Sequence, residues 1–104
     1  IGTKQQGAKQ AITSDSLFRM NSITKSFTAA LCLKLVEQGK LNLDAPITQY
    51  LPQYPTWHNV TVRELLNQTS GIADYIDSPG WFAQLAKEPS KVWTPSMLVN
   101  IVYP

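Results

Sequence analysis

"NSITKSFTAALCLKLVEQG", residues 21–39, decides how this chain is read. Ile23, Phe27, Ala30, Leu31 and Leu35 recur at helical spacing, and Cys32, Leu33 and Val36 widen the apolar arc beyond one stripe. A helix apolar over so much of its circumference is one covered on most sides. Asn21 is suited to N-cap it, which places Ser22 at the first helical position, and Gly39 supplies a left-handed C-terminal stop. Ser22 precedes Lys25 by three residues, so the two side chains share one helix face.

Working outward, "LNLDAPITQYLP" (41–52) offers Asp44 as a cap, Pro46 in a first turn and a short helix ended by Pro52. "QYPTWHN" (53–59) reads as loop. "TVRELLNQTSG" (61–71) opens with a capping box, Thr61 with Glu64, and stops at Ser70-Gly71. Ser78-Pro79 and Thr94-Pro95 repeat the cap-then-proline signature and predict helices over 79–87 and 95–103. Before all of these, "IGTKQQGAKQAITSDS" (1–16) is polar and poorly periodic, fitting a strand at Ile1 to Lys4, a loop and an extended return. The expected fold is mostly α, a single partial domain over 1–104 with a strand remnant and loop at 1–16 and a helical region at 17–104.

The totals bound the function. A chain of 104 residues holds one small domain and is able to bury roughly 60–70% of its unfolded surface in one core. Nine Lys and Arg against seven Asp and Glu give a net charge of +2, scattered without runs, which indicates no nucleic-acid partner. The longest apolar run, Ala29 to Val36, is interrupted by Lys34 and is far shorter than the ~20 residues of a membrane span. Cys32, the one cysteine, has no partner for an internal disulfide and reads as a small apolar side chain of the helix. The chain opens on Ile1 rather than Met, so an upstream segment is expected to have been removed.

A serine hydroxyl becomes a useful nucleophile when a base takes its proton, and a lysine amine serves only where its surroundings favour the neutral form. The positive end of a helix dipole and burial both push that way. The Ser22 N–H, one of the unsatisfied donors of a helix start, suits an oxyanion hole. Against this, a chain this long contains about 0.4 Ser-x-x-Lys matches by chance, so the pair alone leaves chemistry and decoration both open. His58, the one histidine, has no acid near it in sequence and reads as a surface residue. One His and one Cys make a poor zinc site, and no cofactor is indicated. Trp57, Trp81, Phe82 and Trp93 read as core or lid packing.

Two blocks, "SLFRMNSITKSFTAALCLKLVEQGKLNLDAPITQYLP" (16–52) and "VTVRELLNQTSGIADY" (60–75), together resemble the serine β-lactamase and penicillin-binding protein superfamily, in its class C-like and D-alanyl-D-alanine carboxypeptidase-like branch. The resemblance implies the helical portion of an α/β fold with most of its antiparallel sheet missing. It implies an acyl-transfer hydrolase acting on a β-lactam, a D-alanyl peptide or an ester, with Ser22 as nucleophile and Lys25 helping to deprotonate it. Leu65 to Gly71 would support the site from beneath, with Gln68 where members often carry His. The family's Tyr-x-Asn and Lys-Thr-Gly or His-x-Gly motifs occur nowhere in these residues. The resemblance therefore implies an N-terminal part inactive alone, extracytoplasmic by family analogy, with an exposed apolar face open to dimerisation or exchange. The competing expectation is a non-catalytic helical interaction module on the same scaffold.

Overall fold

The computed structural model describes residues 2–104, where four α-helices follow one another: α1 (Thr24–Glu37), α2 (Val62–Leu66), α3 (Trp81–Lys87) and α4 (Pro95–Val102). A 3-10 turn at Asn21–Ile23 leads into α1, and further ones at Ile47–Gln49, Pro55–Trp57 and Tyr75–Asp77 lie in the connections between helices. Among the described residues there is no sheet, only isolated antiparallel bridges, so the chain is mostly helical as its patterning requires.

The local signals hold best where a side chain can reach the backbone. The Thr61 hydroxyl accepts from the Glu64 N–H at 3.2 Å, and Glu64 Oε2 accepts from the Thr61 N–H at 2.8 Å, closing the capping box that starts α2. Thr94 caps α4 by accepting from the Met97 N–H at 3.3 Å, with Pro95 in the first turn. Gly39, at φ +68°, ends α1 in a Schellman arrangement in which the Lys40 N–H reaches the Leu35 carbonyl at 2.9 Å.

Other expectations fail for identifiable reasons. Asp44 caps nothing: its carboxylate is bound by Arg63, and residues 47–49 close only a 3-10 turn. Gly80 at φ +82° occupies the cap position of α3, which starts two residues beyond Pro79, so Ser78 makes no cap. The segment 53–59, read as loop, carries the Pro55–Trp57 turn. Helix α2 stops at Leu66, because Gln68 takes the left-handed position at φ +59° before Gly71 is reached. Asn21 also adopts a left-handed φ of +48° and makes no side-chain cap; α1 proper begins at Thr24, and Ser22 sits in the preceding 3-10 turn. The strand expected over 1–4 begins at Ile1, outside the described residues; beyond it Thr3 bridges Ala11, with the Lys4 N–H bound to the Gln10 carbonyl at 2.9 Å and the Ile12 N–H to the Gly2 carbonyl at 3.1 Å.

The core lies away from α1. Pro46 bridges Thr61 antiparallel, and the Ile47 N–H to Val60 carbonyl bond (2.8 Å) and the Val62 N–H to Ala45 carbonyl bond (3.2 Å) lock the two segments together. Their inward residues Ala45, Ile47 and Val62 are buried, Ile47 to 3% exposure. Helix α4 is tied on through Tyr103, whose hydroxyl accepts from the Thr56 N–H at 3.1 Å and whose ring meets Tyr54 and Trp57 edge-on at 5.1 and 5.0 Å. A second cluster stacks Tyr75, buried Trp81 and Trp93. Phe82, expected to pack with these rings, is 66% exposed on the far side of α3.

Helix α1 buries no residue: Ile23, Phe27 and Leu31, successive on one face, are 63%, 63% and 62% exposed. The radius of gyration is 18.1 Å, whereas a compact chain of this length has about 13 Å. The accessible surface of 8491 Å² exceeds the roughly 5,800 Å² of a compact protein of this mass. Roughly half of the unfolded surface is buried, less than the expected fraction, because the other helices leave the apolar residues of α1 uncovered.

Candidate active site

Asn21 turns the chain into the site from a left-handed conformation that Asn tolerates better than most residues. The 3-10 turn it opens has three residues per turn, so side chains three apart eclipse one another. Ser22 lies in that turn and Lys25 in the first turn of α1, and Lys25 Nζ donates to Ser22 Oγ at 3.1 Å. The structure thus joins the two residues that sequence spacing paired, across the junction of the 3-10 turn and α1 rather than within one α-helix. Both side chains are exposed.

Lys25 lines an open groove of about 900 Å³. Thr28, Ala29 and Cys32 continue its α1 wall at helical spacing, and Leu65 and Leu66 of α2 face them. The floor is the segment from Gln68 to Ile76. Part of Leu65 to Gly71 thus borders the groove that Lys25 lines. Ser70 Oγ accepts from the Ile72 N–H at 3.3 Å, and Asp74 Oδ1 accepts from the Ile76 N–H at 3.0 Å, fixing the two ends of the floor. Asp74 and Lys25 are the charged residues of the lining. Asp74, Tyr75 and Ile76 were not singled out from sequence, although their position just after the Thr69-Ser70-Gly71 turn was a usable signal.

Ser22 is not part of the groove lining, and the remaining candidates stay outside it too. His58 is exposed, its Nδ1 3.3 Å from the Pro55 carbonyl, and it does not line the groove. Among the described residues no group of three His, Cys, Asp or Glu side chains is placed to hold a metal ion. Perturbed carboxylates lie at the α2 end of the molecule instead. Thr61 backbone and hydroxyl bonds hold Glu64 below the usual carboxylate range, and the Arg63 guanidinium does the same to Asp44.

Comparison with known proteins gives this geometry its family. The beta-lactamase family model matches residues 1–97. Among curated proteins the chain is 38% identical over 77 residues to penicillin-binding protein 4 of Amycolatopsis lactamdurans, covering 69% of this chain and 20% of that protein. It is 37% identical over 81 residues to esterase EstB of Burkholderia gladioli, covering 72% and 21%. To the human mitochondrial serine beta-lactamase-like protein LACTB it is 39% identical over 67 residues, covering 59% and 12%. The chain thus spans about a fifth of the length of the first two relatives and less of the third. No solved structure matches it. With the model match running over nearly the whole chain, from the amino-terminal bridge through the Ser22–Lys25 turn into α4, this protein belongs to the serine β-lactamase and penicillin-binding protein superfamily, a family of serine hydrolases.

Proposed function

We propose that Ser22 is the nucleophile and Lys25 the proton acceptor of an acyl-transfer hydrolase acting on a β-lactam, a D-alanyl peptide or an ester. The observation that carries this reading is the 3.1 Å contact between Lys25 Nζ and Ser22 Oγ. In the reaction a neutral Lys25 amine takes the hydroxyl proton as Ser22 Oγ bonds to the substrate carbonyl carbon. The proton passes to the departing nitrogen or oxygen as the acyl bond to it breaks, and water later splits the acyl-serine ester. These residues contain neither Tyr-x-Asn nor Lys-Thr-Gly nor His-x-Gly, so on this reading the chain supplies the nucleophile half of the site and is inactive alone. By the same analogy its place of action is extracytoplasmic.

The test grafts these residues in place of the matching segment of the Amycolatopsis penicillin-binding protein 4 and labels the chimera with a fluorescent penicillin. Labelling is expected in the chimera, not in the 104-residue chain, and is lost on Ser22→Ala. A folded chimera that never labels and cleaves no ester sinks the reading, and labelling that survives Ser22→Ala assigns the wrong nucleophile.

The exposure of Ser22 and Lys25 favours a second reading, a non-catalytic helical interaction module. Its partner surface would be the Ile23, Phe27 and Leu31 face of α1, through which two copies pair or exchange. Sedimentation analysis of Leu31→Glu against the parent chain decides it, since a monomer in both cases removes the pairing.

A further inference from the structure

The turn that presents Ser22 is itself a reactive arrangement. Its two bonds come from the Ile23 N–H, which reaches the Met20 carbonyl at 3.1 Å, and from the Thr24 N–H, which reaches the Asn21 carbonyl; the Ser22 N–H serves in neither. Asn21, the first residue between Met20 and Ile23, stands at φ +48°, whereas Ser22, the second, is not among the residues of positive φ. A bonded turn with positive φ at its first central residue alone is of type II′, in which that residue takes a ψ of about −120°. Glycine is usual there, and this chain has an asparagine. For an L-residue that ψ eclipses Cβ with the next amide nitrogen. The Ser22 nitrogen therefore lies on the side of the Asn21 carboxamide, one bond short of a five-membered ring through the carbonyl carbon, Cα, Cβ and Cγ of Asn21. In a helix or a strand the same nitrogen is rotated well away from Cβ. Ser22 is also small enough to leave Cγ open, whereas Asn42, Asn59, Asn67 and Asn100 are followed by Leu43, Val60, Gln68 and Ile101.

We propose that Asn21 is a site of spontaneous modification, which cyclises onto the Ser22 amide nitrogen and ages to isoaspartate. Hydroxide removes the Ser22 amide proton, and the nitrogen bonds to Asn21 Cγ. The bond from Cγ to the carboxamide nitrogen then breaks, and that nitrogen leaves as ammonia with a proton from water. A second water opens the cyclic imide, at Cγ to give an aspartyl residue or at the main-chain carbonyl to give an isoaspartyl one. Overall one water is taken up, one ammonia is released and nothing is oxidised or reduced. Asparagine is thermolabile through this type of chemistry, and a turn that holds the reacting atoms together removes most of its entropic barrier. The isoaspartyl form adds a carbon to the backbone ahead of Ser22 and sets a carboxylate beside the 3.1 Å contact with Lys25. Cyclisation depends on the turn alone; its effect on activity rests on the acyl-transfer reading of Ser22 and Lys25.

The 104-residue chain is incubated at mildly alkaline pH, folded and in urea, and peptide mapping by mass spectrometry follows the exchange of amide for acid at each asparagine. Asn21 is expected to convert first among the five asparagines, and at least about fivefold faster in the folded chain than in the unfolded one, because only the fold holds the ring-forming atoms together. The rate should rise with pH, since hydroxide takes the amide proton, and isoaspartate should appear at position 21. Ser22→Ala keeps that rate, and Ser22→Val, whose branched side chain crowds Cγ, lowers it. Should the chain alone lose its helical circular dichroism, the same mapping is made on the chimera of the previous section. Another asparagine converting first, or Asn21 converting no faster folded than unfolded, overturns the inference. Conversion of Asn21 in a chimera that never labels with penicillin leaves the modification site standing and removes the acyl-transfer reading alone.

Discussion

Arg63 grips Asp44 with both ends of its guanidinium, Nε to Oδ1 at 2.7 Å and Nη2 to Oδ2 at 3.1 Å, across 19 residues of sequence. The pair is solvent-exposed and therefore a weak source of stability by itself, but it closes the seam where the Ala45 and Val62 segments meet. A planar fork is required for the two bonds, so Arg63→Lys is not conservative here. It is expected to lower the melting temperature nearly as much as Arg63→Ala, measured by circular dichroism at low salt. Equal melting temperatures for Arg63→Lys and the parent would rule the two-pronged contact out.

Acid should weaken the same region. Asp44 and Glu64 both have folded-state pKa values below their unfolded ones, so each contributes stability that is fully present above its unfolded value and lost as pH falls through the folded one. Stability is therefore expected to be flat above about pH 5 and to decline below the ordinary carboxylate range of about 4. Denaturant midpoints measured from pH 7 to pH 3 check this, and Glu64→Gln should flatten the decline.

The capping hydroxyls are separable from those charges. Thr61→Ala and Thr94→Ala are each expected to cost about 1 kcal/mol, with Thr→Ser at either site close to neutral. Urea unfolding of the alanine and serine variants decides between lost capping and lost methyl packing.

Two helix ends with the same backbone turn should respond oppositely. Gly39 is left-handed with nothing within 4 Å of where a Cβ would stand, so Gly39→Ala is expected to cost about 1 kcal/mol from backbone conformation alone. Gln68 already bears that strain, and Gln68→Gly is expected to gain up to about 1 kcal/mol, less the added flexibility of the unfolded chain. Matched unfolding curves test the pair, and two changes of one sign would refute the argument.

Next to the candidate nucleophile, Asn21 carries a left-handed φ without capping anything. Asn21→Gly should keep Ser22 within reach of Lys25, whereas Asn21→Leu, which disfavours that φ by about 1–2 kcal/mol, should reorganise the turn. In the chimera labelled with fluorescent penicillin, the glycine variant is expected to react at close to the parent rate and the leucine variant at least tenfold more slowly.

Local chemistry determined what the sequence alone could: the helical conformation of α1, though not its burial, the Thr61–Glu64 box, the Thr94-Pro95 start and the Gly39 stop depend on residues within one or two turns of each other, and each is found in place. The Ser22–Lys25 pairing was legible for the same reason. Tertiary structure decided the rest. Asp44 was available as a cap and went to Arg63, because a bidentate ion pair outweighs a single bond to a short 3-10 turn. Gln68 rather than Gly71 ended α2, because the Thr69 N–H found the Glu64 carbonyl at 2.9 Å. Tyr75 found its place only when Trp81, 6 residues on, met its ring and Trp93, a further 12 residues on, stacked against Trp81. Spacing along a chain fixes which neighbours a helix can bring together; which distant rings and charges meet depends on how the helices settle against one another, and no short-range period encodes that.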